Sequence, residues 1–402
     1  MPLIQLWEKS PDIVLQYNIK QIVNASGEGV LADNSECSRE LKHYLSNIPV
    51  EKLREHVDYC LANSFDKSGF VLQDIVNQLG KRLDYAVEDG LYQGRTNQIG
   101  YDGIWKTDDH ALVIEIKTSD AYRINLDTVA SYRNKLIEAN RITTKSSILI
   151  VVGRNDTGDL EAQIRGSRHA WDTRIISADA LVKLVELKLK SDEEETTDKI
   201  QSLLMPFEYT RLDNIIDVMF TTAKDVESSD EIAELEATDE SDDVRRTQEQ
   251  TPREVLDKTR NALVSAISKK DKTSLIAHKR AQFSSSDKSV KAVCIVSKQY
   301  NGQGYWYAYH PRYKTFLSEA ESGYFMLGCI GKSFGYAIPN REMEKLLPSL
   351  NRTPTPDPEK SFWHVHLNPN DHGGYYMRLR GGERLDLEPY KINLMENTQA
   401  AA

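Results

Sequence analysis

The segment SSILIVVG, residues 146–153, is an uninterrupted apolar run ending in glycine. A strand with one wet face alternates polar and apolar residues, whereas one apolar throughout is covered on both faces. Such a strand needs helices on either side of its sheet, and the flanking sequence supplies them. FVLQDIVNQLGKRL puts Phe70, Val71, Ile75, Val76, Leu79 and Leu83 on one broad helical face, and in NLDTVASYRNKLIEA Leu126, Val129, Ala130, Leu136 and Ile137 share helical spacing. Strand-like pieces at 84–88, 98–106 and 110–118 lie between them, with EDG and YQGRTN as turns. TRII and then SADALVKLVELKLK, with Ser177 as N-cap, extend the pattern. The order is helix, three strands, helix, strand, then further α/β units: a mixed central sheet flanked by helices.

The chain of 402 residues has room for two or three domains. Residues 1–66 read as a helical lead-in, with SRELKHYLSNI and VEKLREHVDYCLAN as helices, and 67–223 as the α/β domain. Residues 224–251 are acidic and poor in aromatics, which suits a linker. Residues 252–396 break into short strand-and-turn units, including strands around a turn at Asn301–Gly304, and are expected to form a separate, small β-rich α+β domain. The net charge of −10 hides an asymmetry, because from Pro252 onward 22 Lys and Arg face 15 Asp and Glu. The acidity therefore lies upstream, and the C-terminal part is basic enough for a nucleic-acid partner.

Cys37, Cys60, Cys294 and Cys329 lack paired-ligand spacing, which argues against zinc and for reduced, half-buried thiols. No run approaches the ~18 apolar residues of a membrane span, and MPLIQLWEKSPD lacks the basic flank and apolar core of a signal peptide. A cytoplasmic location without a membrane partner is expected.

In ALVIEIKT, alternation puts Glu115 and Lys117 on one strand face, with Leu112, Ile114 and Ile116 opposite. Asp102 sits on the preceding candidate strand. If the two strands pair, its carboxylate approaches Glu115 within bridging distance of a cation. Two carboxylates and the Ile116 carbonyl make a hard-oxygen site for Mg²⁺, with Lys117 beside it. The bland alternative is a solvated Glu115–Lys117 pair with Asp102 as a turn residue, but apolar neighbours make an unused charge costly there.

Asp102, then Glu115-x-Lys117 within an α-β-β-β-α-β order, resembles the PD-(D/E)xK superfamily of restriction-endonuclease-like nucleases, over roughly residues 69–180. The string IGYDGIW…ALVIEIKTSDAYRINLDTVASYRNKL is also similar to bacterial nuclease-like proteins of restriction and defence type. The resemblance implies a restriction-endonuclease-like core, Asp102 and Glu115 as metal ligands, Lys117 as catalytic lysine, and Mg²⁺ with Mn²⁺ as substitute. The helix glutamate of many members is replaced by Gln73, which resembles the glutamine of Mrr-like relatives. The implied activity is cutting of DNA in restriction or anti-phage defence, by a homodimer, with defence-system proteins as partners.

Several residues are candidate nucleic-acid contacts. Thr118 follows the lysine, and Tyr122, Arg123, Tyr132 and Arg133 flank the next helix. Gln163, Arg165, Arg168 and Arg174 cluster after the fourth strand. Surface ion pairs are the alternative for the arginines. In QYNGQGYWYAYHPRYK, Tyr300, Tyr305, Trp306, Tyr307, Tyr309 and Tyr313 interleave with His310, Arg312 and Lys314, which suits base stacking and phosphate contact or, equally, an aromatic core. His364 and His366 share a strand face but lack a third metal ligand, which favours a structural role. The expected function is a Mg²⁺-dependent DNA endonuclease whose C-terminal domain recognises DNA or a trigger. The rival is a non-cleaving nucleic-acid or nucleotide sensor on the same scaffold.

Overall fold

Helix α6 (Ser68–Arg82) organises the N-terminal part, because Val71, Leu72, Ile75, Val76 and Leu79 on its apolar face are all fully buried. The structure, a computed structural model, describes residues 3–93, 98–118, 124–153, 158–191, 194–206, 253–299, 304–355, 358 and 361–394. By its internal contacts the chain divides into two compact units, Met1–Ser229 and Asp230–Ala402. The boundary falls within the expected 224–251 linker, whose own residues lie outside the described ones. Among the described residues no helix is long and apolar enough to cross a membrane.

The first unit holds a five-stranded sheet in sequential order: β1 (Ala86–Asp89), β2 (Gly103–Lys106), β3 (Ala111–Lys117), β4 (Ser146–Val152) and β5 (Thr173–Ser177). The first two pairings are antiparallel and the last two parallel, so the sheet is mixed and changes sense at β3. Every residue of β4 is buried, as its apolar run requires. Leu112, Ile114 and Ile116 of β3 and Leu149 and Val151 of β4 pack toward α6 and α9 (Ala178–Lys190). The alternate residues Ile148, Ile150 and Val152 pack against α7 (Leu126–Glu138) and α8 (Gly158–Arg165). Ser177 caps α9 as expected, its hydroxyl accepting the Ala180 N–H at 3.0 Å. Residues 98–102 are not in a strand; β2 begins only at Gly103.

Residues 3–62 form five helices, α1 (Leu3–Lys9), α2 (Pro11–Val14), α3 (Ile19–Ala25), α4 (Glu36–Asn47) and α5 (Val50–Ala62). They are more than a lead-in. Leu3, Ile22, Leu41, Leu45, Leu53 and Val57 belong to the same apolar cluster as α6, the sheet and α9. Arg54 on α5 ties this layer across, pairing with Asp179 at 2.6 Å and Glu186 at 2.9 Å on α9. A short helix α10 (Glu194–Leu204) follows.

The second unit is layered. Helix α11 (Arg253–Lys270) covers one face of a six-stranded mixed sheet through Leu263, Val264 and Ile267. That sheet runs β16 (Lys391–Asn393), β11 (Phe334–Pro339), β10 (Ser322–Cys329), β8 (Val290–Ser297), β7 (Gln282–Ser284), β6 (Ile276–Ala277). Its other face packs on an antiparallel sheet in which β13 (Phe362–Pro369) pairs with β9 (Tyr305–Tyr309), β12 (Arg352–Thr353) and β14 (Tyr375–Arg378), and β14 with β15 (Arg384–Asp386). Helices α12 (Pro311–Ser318) and α13 (Asn340–Leu346) complete the unit. The strands on either side of 301–304 thus enter different sheets; β8 lies between β10 and β7, and β9 pairs with β13.

Candidate active site

The site forms where β2 ends and β3 runs on. Gly103 pairs with Ile114, and the Asp102 N–H donates to the Ile114 carbonyl at 3.1 Å, so Asp102 lies opposite Glu115. Side chains directly opposite share a face. One Asp102 carboxylate oxygen accepts the Ile116 N–H at 2.6 Å. Lys117 Nζ is 2.5 Å from Glu115 Oε1, with the Glu115 side chain 12 % and that of Lys117 35 % exposed. Asp102, Glu115 and Lys117 are therefore one constellation, on the face where Val113 is buried. Because N–H and C=O of a strand residue face the same edge, the Ile116 carbonyl faces the Asp102 side, beyond the start of β2.

Helix α6 fixes the backbone of Asp102. Its carbonyl accepts Gln73 Nε2 at 3.1 Å, Asn77 Nδ2 at 2.9 Å and the Gly90 N–H at 3.0 Å. Gln73 thus sits beside the constellation but bonds the main chain of Asp102 rather than its carboxylate. Asn77 is the residue the sequence reading missed: besides holding Asp102, its Oδ1 accepts the Trp105 indole N–H at 2.9 Å. The signal was present in α6, where Gln73, Asp74, Asn77 and Gln78 are all buried on an otherwise apolar helix. Buried side-chain amides are kept only where partners satisfy them. Asn77 also explains Gly103, since a Cβ there would lie 2.2 Å from Asn77 Oδ1.

Electrostatics couple the three groups. Burial, reinforced by the Glu115 charge, pushes the Asp102 carboxyl up to about 7, against the opposing pull of the Ile116 N–H and Lys117. Burial works to lower Lys117, but the hydrogen bond and charge of Glu115, with help from Asp102 and Tyr132, outweigh it and hold the ammonium above its ordinary value. Tyr132 on α7 thereby belongs to the surroundings of the lysine, and it also packs by Gly100, whose Cβ would lie 3.0 Å from its ring. Among the described residues no three His, Cys, Asp or Glu side chains converge on a possible metal position, so a cation here would rest on two carboxylates and main-chain oxygen.

The other expected contacts separate into placed, redirected and undescribed residues. Thr118 directly follows the lysine and lies against the start of α6, its methyl 4.0 Å from where a Gly69 Cβ would be. Arg123 and Tyr122 lie outside the described residues. Arg133 bonds Ser146, the Thr144 carbonyl and Asp172, which makes it a clamp on the β4 approach. Gln163 grips Ile124 from both sides, Oε1 accepting its N–H at 3.1 Å and Nε2 donating to its carbonyl at 2.5 Å. Its amide is thus engaged with the main chain. Arg165 and Arg168 are exposed, 73 % and 78 %; Arg165 pairs with Glu161, and Arg168 pairs with Asp127 and donates to His169 Nε2. Arg174 is half-buried and donates to the Met205 carbonyl.

In the second unit the tyrosines turn inward. Tyr305, Tyr307 and Tyr309 are buried, and their hydroxyls reach the Ile330 carbonyl just past β10, the Gly328 carbonyl in β10 and Asn340 at the start of α13. Tyr313 and His310 are also buried. For these residues the core alternative is the one observed; period-2 alternation leaves Trp306 on the outer face. Arg312 stacks over the Tyr313 ring and Lys314 is exposed. His364 and His366 stack in parallel, centroids 5.9 Å apart, with His364 engaged by Trp306 and Thr353. All four cysteines are free and buried, deeper than expected. No protein-family model matches the chain, and no curated protein matches it.

Proposed function

We propose that the N-terminal unit is a Mg²⁺-dependent endonuclease on a restriction-endonuclease-like core, hydrolysing DNA phosphodiester bonds, with Mn²⁺ able to substitute. The observation that carries this reading is the convergence of Asp102, Glu115 and Lys117 at the mouth between β2 and β3, with Lys117 within 2.5 Å of Glu115. Asp102, Glu115 and the Ile116 carbonyl would hold the cation. They fit it chemically: all three donors are oxygens, and two partly buried carboxylates, Asp102 and Glu115, lie opposite one another with a single ammonium, Lys117, beside them, a net negative charge that a cation would offset. When bound, the cation polarises a phosphate oxygen and lowers the pKa of water.

The chain's own residues account for the remainder. Lys117 stays an ammonium at neutral pH and is held by Glu115, ready to offset charge growing on the phosphate. Gln73 and Asn77 hold the Asp102 main chain so that its carboxylate keeps its place. Arg165 and Arg168 are accessible for phosphate contact. Cutting both strands with one such site per chain calls for a homodimer. The restriction or anti-phage setting, and a C-terminal unit that recognises DNA or a trigger, follow from the resemblance and the basic balance of that unit.

A non-cleaving sensor is the second reading, and one observation favours it: the Ile116 N–H and Lys117 already give Asp102 and Glu115 partners without a cation. Plasmid and phage DNA, methylated and unmethylated, incubated with Mg²⁺ separates the two. Cleavage by the wild type that disappears in Glu115→Ala and in Lys117→Ala supports the nuclease. Cleavage that persists in both variants refutes this site, and a wild type that cuts no DNA refutes the nuclease reading.

A further inference from the structure

The two sheets of the C-terminal unit differ in how they are covered. The six-stranded sheet has α11 on one face and the antiparallel sheet on the other. The antiparallel sheet buries Tyr305, Tyr307, Val365, Leu367, Tyr375 and Met377 inward, and among the described residues no helix or sheet packs as a layer on its outer face. That face should therefore read as polar, solvated side chains. Instead it displays a cross-strand row: Trp306 on β9 pairs with His366 on β13, continuing the β13–β14 register puts Arg378 opposite His366, and Arg378 pairs with Arg384 on β15. Three inter-strand steps of about 4.8 Å make the row about 14 Å long.

Two features of this row suit a ligand. Arg378 and Arg384 are exposed, lie directly opposite one another, and have no ion-pair partner among the described residues. Like charges in that position oppose folding, and an anion bound between them removes the cost. Trp306 is held in place: its indole N–H donates to His364 Nδ1 at 3.3 Å, which fixes the His364 tautomer so that Nε2–H faces Thr353 Oγ1 at 2.6 Å. Tyr376, beside the row, lies under the Arg384 guanidinium at 4.6 Å. Asp386 pairs with Tyr376 and is the row's acidic neighbour, but its Oδ1 accepts the Glu388 N–H. A held indole at one end of the row and two guanidinium groups without an ion-pair partner among the described residues at the other match a base and the phosphates of an unpaired strand. A four-stranded face is too broad for the ~12 Å major groove of a duplex.

We propose that this outer face binds single-stranded DNA, with Trp306 stacking a base and Arg378 and Arg384, the latter laid on the Tyr376 ring, taking phosphates. The choice of DNA over RNA rests on the nuclease reading above. The test is fluorescence anisotropy of the full chain with a labelled 12-nucleotide DNA strand in EDTA, so that binding is read without cleavage. Trp306→Ala is expected to weaken binding about 5- to 100-fold, and Trp306→Phe, which keeps a stacking ring, to restore most of it. The double variant Arg378→Ala/Arg384→Ala should flatten the slope of log K against log salt by about 1.4, at ~0.7 per phosphate contact. Arg341→Ala, an exposed arginine on α13, should leave binding unchanged.

The proposal is overturned if the double arginine variant binds like wild type, if the 12-nucleotide strand does not bind, or if RNA or duplex of the same sequence binds as tightly. A protein that cuts plasmid but fails these tests keeps its nuclease and loses this face. One that binds through Trp306 and never cuts does the reverse.

Discussion

Gly103→Ala probes the link between α6 and the candidate site most sharply. The new Cβ would lie 2.2 Å from Asn77 Oδ1 and 3.1 Å from its Cγ, where real Cβ contacts do not occur below about 3 Å. Asn77 cannot simply swing away, because it holds both the Asp102 carbonyl and the Trp105 indole. Either β2 moves outward by about 1 Å, or Asn77 gives up one bond and strands a buried polar group. Overpacking and a lost buried partner each cost about 1–3 kcal/mol. Taking ~3 kcal/mol in all and 2–4 °C per kcal/mol for a unit of this size, the melting temperature falls by about 6–12 °C. A shift of about 1 Å at Asp102 should also slow the proposed DNA cleavage about 100-fold. The assay is thermal denaturation together with single-turnover plasmid cleavage, run as a cycle with Asn77→Ala, which removes the obstacle. The double variant should be less destabilised than the two single losses summed, by at least 1 kcal/mol. Additive losses, or a Gly103→Ala protein that melts and cuts like wild type, would refute the coupling.

Asp74 is a buried acid with a pH signature. Burial pushes its carboxyl up to about 7, opposed by Lys42 and the 2.5 Å Tyr92 hydrogen bond; Asp89 adds to the rise and Lys81 opposes it. Because the folded pKa lies above the ordinary value, the folded chain keeps a proton that the unfolded chain has released between about pH 4 and pH 7. Stability therefore falls as pH rises through that window, by up to ~1.4 kcal/mol per unit. Asp102 shares this sign, so Asp74→Asn should remove one proton's share of the slope in urea melts; an unchanged slope sinks the assignment. Gln163→Ala loses two main-chain bonds and should cost about 1–3 kcal/mol in the same melts. Arg165→Ala and Arg168→Ala should leave stability within about 0.5 kcal/mol, while each flattens the salt dependence of duplex binding by ~0.9. Equal melting losses for all three variants would contradict this division.

Local pattern made the sheet readable. The apolar run of β4 states that both its faces must be covered, and the structure covers both, whereas α6, which reads as apolar on one broad face, is buried all round from Val71 to Gly80 because its amides and Asp74 also find partners. Pairing was less readable. The alternation of β9 says that one face is wet without saying which sheet it joins, and the amphipathic helices before residue 66 require a partner surface without naming it. At the site, strand alternation gives the shared face of Glu115 and Lys117, but the opposition of Asp102 and Glu115 also needs the β2–β3 register, which alternation does not state. Asn77, Gln163 and Arg133 act through main-chain groups of residues 25, 39 and 11 positions away, and no side-chain pattern encodes such bonds.

The shared core of helices α1–α5 with α9 also sets a clock on biosynthesis. Arg54 meets its partners Asp179 and Glu186 across 125 and 132 residues. At 5–20 residues per second, α5 waits about 6–26 s on the ribosome before the α9 surface it packs against exists. During that interval α3 and α6 can cover α5, but the part of its surface that meets α9 lacks its native partner. Faster translation through residues 63–190 would be expected to raise the soluble yield.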